Sequence, residues 1–402
     1  MFVFGTDVLG EGVDVVLNNL QGRAGVDAVA LSTTYHDARD VFPHNPCHHV
    51  YRHVGDIAWF RPDARSYASG LVPRPAGETD VLAQVCEAAA GRGMDVHAWT
   101  IFLHNSVLAT EHPDCATRNA YGDPYLTDLC PANPRVQEYA VELATDIARY
   151  PVARLVAESL HYRPLEHGNH HERYLIDLPA SSRTLLSLCF CEHCRRTAEG
   201  VGVDTERLVA AVQAALSVVW DDALPDPADP GRGHLATEEE STLLHDYVAC
   251  RQRVVTALVA DVRRALASSG VPLTFIDHAG AMSHVMVGTS RDDPVAASSR
   301  RLGIDAAAAA SACDELAVLG YVDTAPRLQA LLDEYRRTVG AGTRLAVALR
   351  PLLPDCAGES ELVERVAAVR DAGVDRVDFY HYAMMPLPRL DWVARALHGD
   401  GS

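Results

Sequence analysis

Two kinds of apolar pattern alternate along the chain. Short runs of apolar and β-branched residues read as strands buried on both faces, and longer segments with apolar positions every three to four residues read as amphipathic helices. The alternation repeats eight times, with strands expected at "FVFGT" (2–6), "DAVALSTTY" (27–35), "DVHAWTIFL" (95–103), "ARLVAESL" (153–160), "PLTFID" (272–277), "ELAVLGY" (315–321), "RLAVALR" (344–350) and "RVDFYHY" (376–382). Eight βα units in series predict an α/β fold, a (β/α)8 TIM barrel spanning residues 1–402 as a single domain. A doubly wound open sheet is the alternative, but no glycine-rich phosphate fingerprint follows the first strand.

Local signals place several boundaries. Three strands follow Gly-x-Asp, in "AGVDAVAL", "RGMDVHAW" and "AGVDRVDF", where the glycine suits a helix C-cap before a short turn. Asn133 followed by Pro134 predicts a helix start, with Val136, Ala140, Leu143 and Ile147 on one face. "GESELVERVAAVRDAG" reads as a capped helix ending at Gly373.

Long insertions are expected after strands 2 and 4. Residues 36–77 form a His-, Pro- and aromatic-rich loop, and residues 161–271 carry a cysteine knuckle and a helical pair. Between those two helices, residues 221–240 are Pro-, Gly- and acid-rich and read as a solvated linker. Both insertions leave the C-terminal ends of strands, the barrel face on which active sites are built.

Charge then removes some classes of function. With 35 Lys+Arg against 54 Asp+Glu, the formal net charge is −19, which disfavours nucleic acid and anionic membrane as partners. The N-terminus lacks the basic and long apolar regions of a secretory signal, and no stretch offers about 18 uninterrupted apolar residues. A cytoplasmic protein is the expectation, with its cysteines reduced.

Of 10 cysteines, three fall within "SLCFCEHCRR": Cys189, Cys191 and Cys194. A C-x-C-x2-C run can supply three thiolates to one cation, and a tetrahedral zinc site needs a fourth ligand. Cys130, at the end of the third βα loop, is preferred over Cys115 and over His193 inside the knuckle. A thiolate-rich closed site points to structural zinc, stapling the fourth loop to the third. Packing of small buried thiols is the plain alternative.

The order "LCPANPRVQEY…ARY…AES…CFCEHC" resembles that of the zinc-containing β-galactosidases. The resemblance implies that Cys130 joins the later knuckle around structural zinc and that the glutamate between them, Glu158, is the acid/base residue on the fourth strand. Phrases such as "YHDARDVFPHNP", "HAWTIFLHNS" and "ESLHYRPLEHGNHHE" are similar to those of an uncharacterised bacterial group of glycoside-hydrolase-like TIM barrels. In the retaining β-galactosidases that glutamate follows asparagine and the nucleophile lies on the seventh strand. Here Ala157 precedes Glu158, and the seventh strand ends in Arg350 with no carboxylate before Asp355.

Glycoside hydrolysis uses two carboxyl groups across the scissile bond. Glu158 ends an otherwise apolar strand, where a charge is costly unless used or paired; a salt bridge to Arg163 or Arg350 is its structural alternative. Asp277, at the end of the fifth strand, is the next carboxylate with a matching address and the expected catalytic partner, with a hydrogen-bonded turn residue as its alternative. Asp314, Glu315 and Asp378 begin their strands and are expected at the opposite end or in the wall.

Polar and aromatic residues cluster near the strand ends. Tyr35, His36, Trp99, His104 and Asn105 come from the second and third strands, and His161, Tyr162 and His278 follow the fourth and fifth. Arg350, Tyr380 and His381 complete a candidate sugar-binding lining, in which Arg350 could grip a carboxylate or phosphate. The expected function is hydrolysis of a small glycoside or oligosaccharide, with Glu158 central, zinc as the structural cofactor and a possible homo-oligomer. Two alternatives stand: a non-catalytic carbohydrate-binding barrel, and a metal-dependent hydrolase in which His170, His171 and a carboxylate hold a divalent ion.

Overall fold

The computed structural model describes residues 1–166, 172–221, 233–282 and 295–399. Eight parallel strands follow one another in sequence: β1 (Phe2–Val3), β2 (Ala28–Tyr35), β3 (Asp95–Ile101), β4 (Arg154–Glu158), β5 (Leu273–Asp277), β6 (Glu315–Leu319), β7 (Leu345–Leu349) and β8 (Arg376–Phe379). Each pairs in parallel with its successor, giving a mixed α/β fold around a largely parallel sheet. The two ends of the series meet through side chains: Phe2 and Tyr380 have ring centroids 5.7 Å apart, and Phe4 stacks on His381 at 3.8 Å. The first strand is shorter than its apolar run because a helix begins at Gly5.

Side chains alternate between two apolar layers, as strands covered on both faces require. Trp99, Ile101, Val156, Ile276, Ala317, Ala346 and Ala348 share one cluster with Phe2 and Phe4 on the inner face. Ala98, Leu155, Phe275, Leu316, Val318, Leu345 and Val347 pack against the surrounding helices on the other. The three expected C-cap glycines, Gly25, Gly93 and Gly373, have φ of 66°, 66° and 62°, a left-handed conformation that glycine adopts without steric cost. The Pro134–Ile147 helix is capped by Asn133, whose Oδ1 accepts from Arg135 N at 3.0 Å, and it buries the expected face.

The segment after β2 contains a hairpin, Ala38–Val41 with Val50–His53, and a short strand, Ile57–Ala58, that runs antiparallel to Thr34–Tyr35. The segment after β4 carries helices Ala180–Leu186, Glu192–Glu199, Thr205–Trp220 and Glu238–Leu266. The expected linker at 221–240 is corrected at its end. Thr237 and Glu240 form a reciprocal capping box, so the acidic run 238–240 is the first turn of a 29-residue helix rather than solvated loop. Residues 222–232 lie outside the described residues. A third excursion, not foreseen, is the hairpin Ala116–Arg118 with Pro124–Leu129 after β3.

At the N-terminal ends of the strands, Glu315 pairs with Arg154 at 2.8 Å and Arg376 at 2.9 Å, and Arg376 pairs with Asp378 at 3.0 Å. Asp314 pairs with Arg263 on the outside. These acids neutralise the sheet's lower end, away from Glu158. Among the described residues no helix is long and apolar enough to cross a membrane.

Candidate functional site

Inner-face positions on β4 are 154, 156 and 158, so the period of two that buries Val156 among the inner cluster aims Glu158 the same way at the strand's C-terminal end. Trp99 Nε1, from β3, donates to Glu158 Oε2 at 2.7 Å, and His278 Nε2 lies 3.2 Å from Oε1. Burial alone would raise the carboxyl's pKa. The adjacent His278 and the Trp99 hydrogen bond outweigh it and hold Glu158 below the usual glutamate range. Neither salt bridge foreseen for Glu158 forms, since Arg350 pairs with Asp355 at 2.5 Å and Arg163 with Asp128 at 3.3 Å. Immediately after Glu158, Ser159 has φ 55°, an uncommon conformation for a non-glycine residue, and its Oγ accepts from buried Arg163 at 2.9 Å.

Asp277 is not brought to Glu158. It shares the outward register of Leu273 and Phe275 and is fully buried, accepting from Ser299 Oγ at 2.7 Å and from Ala279 N at 3.1 Å. Burial pushes its pKa up, partly offset by Ser299. This is the hydrogen-bonded turn residue among the sequence alternatives; the next residue, His278, is the one that reaches Glu158.

A different carboxylate borders the site. Asp128, in the hairpin after β3, contacts His104 Nδ1 at 3.2 Å and Arg163 Nε at 3.3 Å, and accepts from Thr127 Oγ1 at 2.7 Å. Burial raises its carboxyl to about 6 despite Arg163. The His104 ring lies 4.7 Å from His36. Burial, followed by the charge of His104, pushes His36 down to about 3, and Glu158 also acts on His36 electrostatically. Asp128 thus sits in direct contact with His104 and Arg163, while Glu158, held by Trp99 and His278, acts on His36 and Arg163 through its charge; the two environments drive the carboxyls in opposite directions.

The other predicted lining residues divide. Tyr35 and Tyr380 face each other, hydroxyls 3.4 Å apart, with the Trp99 ring 5.4 Å from Tyr35 and 6.0 Å from Tyr380. Buried His161 has its ring 5.6 Å from His278 and its Nδ1 2.6 Å from Tyr162 O. Three are corrected to structural placements. Asn105 caps the Ser106–Glu111 helix through Leu108 N at 2.7 Å, because its carboxamide satisfies an otherwise orphaned amide. Tyr162 turns outward, its hydroxyl 3.3 Å from Cys194 Sγ, and His381 is buried against Phe4 while accepting from Ala383 N. Tyr321 was not foreseen, although position 321 continues the inner register of Ala317 and Leu319.

Cys130, Cys189, Cys191 and Cys194 are all buried and form a group able to hold a metal ion. Cys130 Sγ lies 3.7, 3.5 and 3.4 Å from the sulfurs of Cys189, Cys191 and Cys194. Four thiolates at about 2.3 Å from a tetrahedral zinc sit about 3.8 Å apart, so the group fits such an ion. Cys115 and His193 stand outside it. Among the described residues this is the one such group; His170 and His171 lie outside the described residues.

No protein-family model and no curated protein matches this chain. Among solved structures, alpha-L-fucosidase isoenzyme 2 from Paenibacillus thiaminolyticus is similar with a TM-score of 0.51 and 12% identity, covering 94% of this chain and 44% of that one. The β-galactosidase from the psychrophilic Marinomonas ef1 gives 0.51 and 13%, over 94% of this chain and 54% of that one. The chain thus spans about half the length of these structures, and at such identities the likeness is one of fold.

Proposed function

We propose that the chain is a (β/α)8-barrel glycoside hydrolase whose reacting carboxyl groups are Glu158 and Asp128, with the cysteine group holding a structural zinc. The observation that carries this reading is the divergence of two buried carboxyls around one polar cluster: Glu158 held below its usual range, Asp128 raised to about 6. Paired carboxyls whose surroundings separate their pKa values suit one ionised and one protonated role. Glu158, kept anionic by Trp99 and His278, stabilises or attacks the sugar's anomeric carbon. Asp128, protonated below about 6, delivers a proton to the leaving oxygen. The assignment of Glu158 differs from the acid/base role implied by the β-galactosidase resemblance, and the cause is its two hydrogen-bonding neighbours. The likeness of fold to a fucosidase and a galactosidase supports the reaction class, and the half-buried Tyr380, braced by the buried Tyr35 and Trp99, offers an aromatic face to a sugar. Zinc, when bound, ties the loop after β3 to the segment after β4; Glu158 and Asp128 act without contact to it.

The test is a panel of nitrophenyl glycosides and natural oligosaccharides with wild type, Glu158→Gln and Asp128→Asn. Turnover by wild type, reduced about 10²–10⁴-fold by each substitution, is expected. Saturable sugar binding without turnover would instead establish a carbohydrate-binding barrel. Unchanged turnover in Glu158→Gln would overturn the assignment.

A further inference from the structure

A cation stands at the C-terminal end of the seventh strand. Arg350 directly follows β7, in the inner register of Ala346 and Ala348, and therefore faces the side to which Glu158 points. Its Nε donates to Asp355 Oδ2 at 2.5 Å, and its guanidinium lies 4.1 Å over the Tyr321 ring. Tyr321 is 6.1 Å from Tyr380, and both tyrosines feel Arg350 and Glu158 electrostatically. Arg350 and Glu158 thus flank the same aromatic wall.

The manner in which Arg350 is held defines what it can take. Asp355 is 1% exposed, so the ion pair is anchored from below, while the Arg350 side chain remains 22% exposed. Stacking on Tyr321 fixes the plane of the guanidinium. With Nε engaged, the terminal Nη1–Nη2 edge is left without a partner among the described residues. Two parallel N–H donors in a fixed plane match the two oxygens of a carboxylate. A neutral hexose offers no planar acceptor pair, and in a chain of formal charge −19 a local cation favours the retention of an anion.

We propose that Arg350 grips a substrate carboxylate, so that the sugar bound against Glu158 is a uronic acid or a similarly carboxylated residue. The inference rests on the glycoside-hydrolase reading for its site, but its own content is recognition and not turnover. Asp355 and Tyr321 are positioning residues for the grip.

Binding is measured by calorimetry on the full chain with D-glucuronate, D-galacturonate, D-glucose and D-galactose, and turnover with nitrophenyl glucuronides, galacturonides and the matching neutral glycosides in both anomers. At least one uronate is expected to bind about 10-fold or more tightly than its neutral counterpart. Arg350→Gln should erase that preference. Arg350→Lys, which keeps the charge and a partner for Asp355 without the planar edge, should retain only part of it, and guards against a folding defect in the first variant. Equal or weaker binding of both uronates in wild type overturns the proposal, as does a preference that survives Arg350→Gln. Arg350-dependent uronate binding with no glycoside hydrolysed would uphold the grip and sink the hydrolase reading. Hydrolysis confined to neutral glycosides, with no uronate preference, would do the reverse.

Discussion

Replacing Trp99 with Phe removes one of the bonds that, together with His278, keep Glu158 ionised. The indole is almost fully buried, with ring centroids 4.9 Å from Phe2 and 5.9 Å from Phe4, so a phenyl ring keeps most of the packing and loses the Nε1–H that reaches Glu158 at 2.7 Å. A hydrogen bond to a charged group contributes about 1.5–3 kcal/mol. The smaller ring adds a cavity cost that does not depend on pH. At about 2 cal/mol/K of unfolding entropy per residue, a chain of 402 residues shifts its Tm by about 1 °C per kcal/mol, so the hydrogen bond corresponds to about 2–3 °C. Because Glu158 has a depressed pKa in the folded state, the stability it contributes is present above its unfolded value and is lost as pH falls through the folded one. Calorimetric Tm values for wild type and Trp99→Phe should therefore differ fully at pH 7 and pH 5 and converge toward the cavity cost only below the normal glutamate range. Glu158→Gln, which keeps an acceptor but no charge, should flatten that convergence. A Tm difference that is constant with pH, or that widens on acidification, would refute the account of Glu158's ionisation.

Further expectations separate the neighbouring groups. Asp128→Asn should lower kcat and remove a limb of the pH–rate profile near 6: with its pKa raised to about 6, the protonated form that donates is lost as pH rises through that value; a limb that persists in the variant would exclude Asp128 as its source. Asp277→Asn, altering the acceptor of Ser299 and Ala279, should cost about 1–3 kcal/mol in urea unfolding yet leave the kcat of folded protein unchanged; a collapse of kcat with stability intact would return Asp277 to the chemistry. Cys130→Ser should abolish stoichiometric zinc by elemental analysis and lower the Tm, and chelation of wild type should reproduce that Tm; full zinc content in the variant would remove Cys130 from the ligand set.

The eight strands were legible because parallel strands covered on both faces must be apolar throughout, and the glycines at 25, 93 and 373 punctuated them with a conformation few other residues tolerate. Three of the four grouped cysteines were legible from their C-x-C-x2-C spacing, and Cys130 from its place at the end of the loop after β3. Asp128 was not, because its position depends on a hairpin folding back on the end of β3, where His104 and Asp128 bridge and Asn105 N donates to Thr127 O at 2.9 Å. Nothing local in "LTDLCP" announces that contact. Asp277 was misplaced for a different reason. The period of two was available, and Phe275 in the apolar outer layer already put Asp277 on the helix side and His278 on the Glu158 side. Arg350 was placed at the end of the seventh strand, with a substrate grip and a pairing to Glu158 both open; the pairing does not form, since the loop that follows brings Asp355 back to it.

The cysteine group also changes what the chain is as a mechanical object. Cys130 and Cys194 are 64 positions apart, and the segment between them carries the Pro134–Ile147 helix and the whole of β4 with Glu158. With an ion bound, tension applied at the two termini passes from one thiolate to the other and skips that segment. Roughly 210 Å of extended chain is then withheld from a force–extension trace, and it should appear as added contour length only after a chelator has opened the ring.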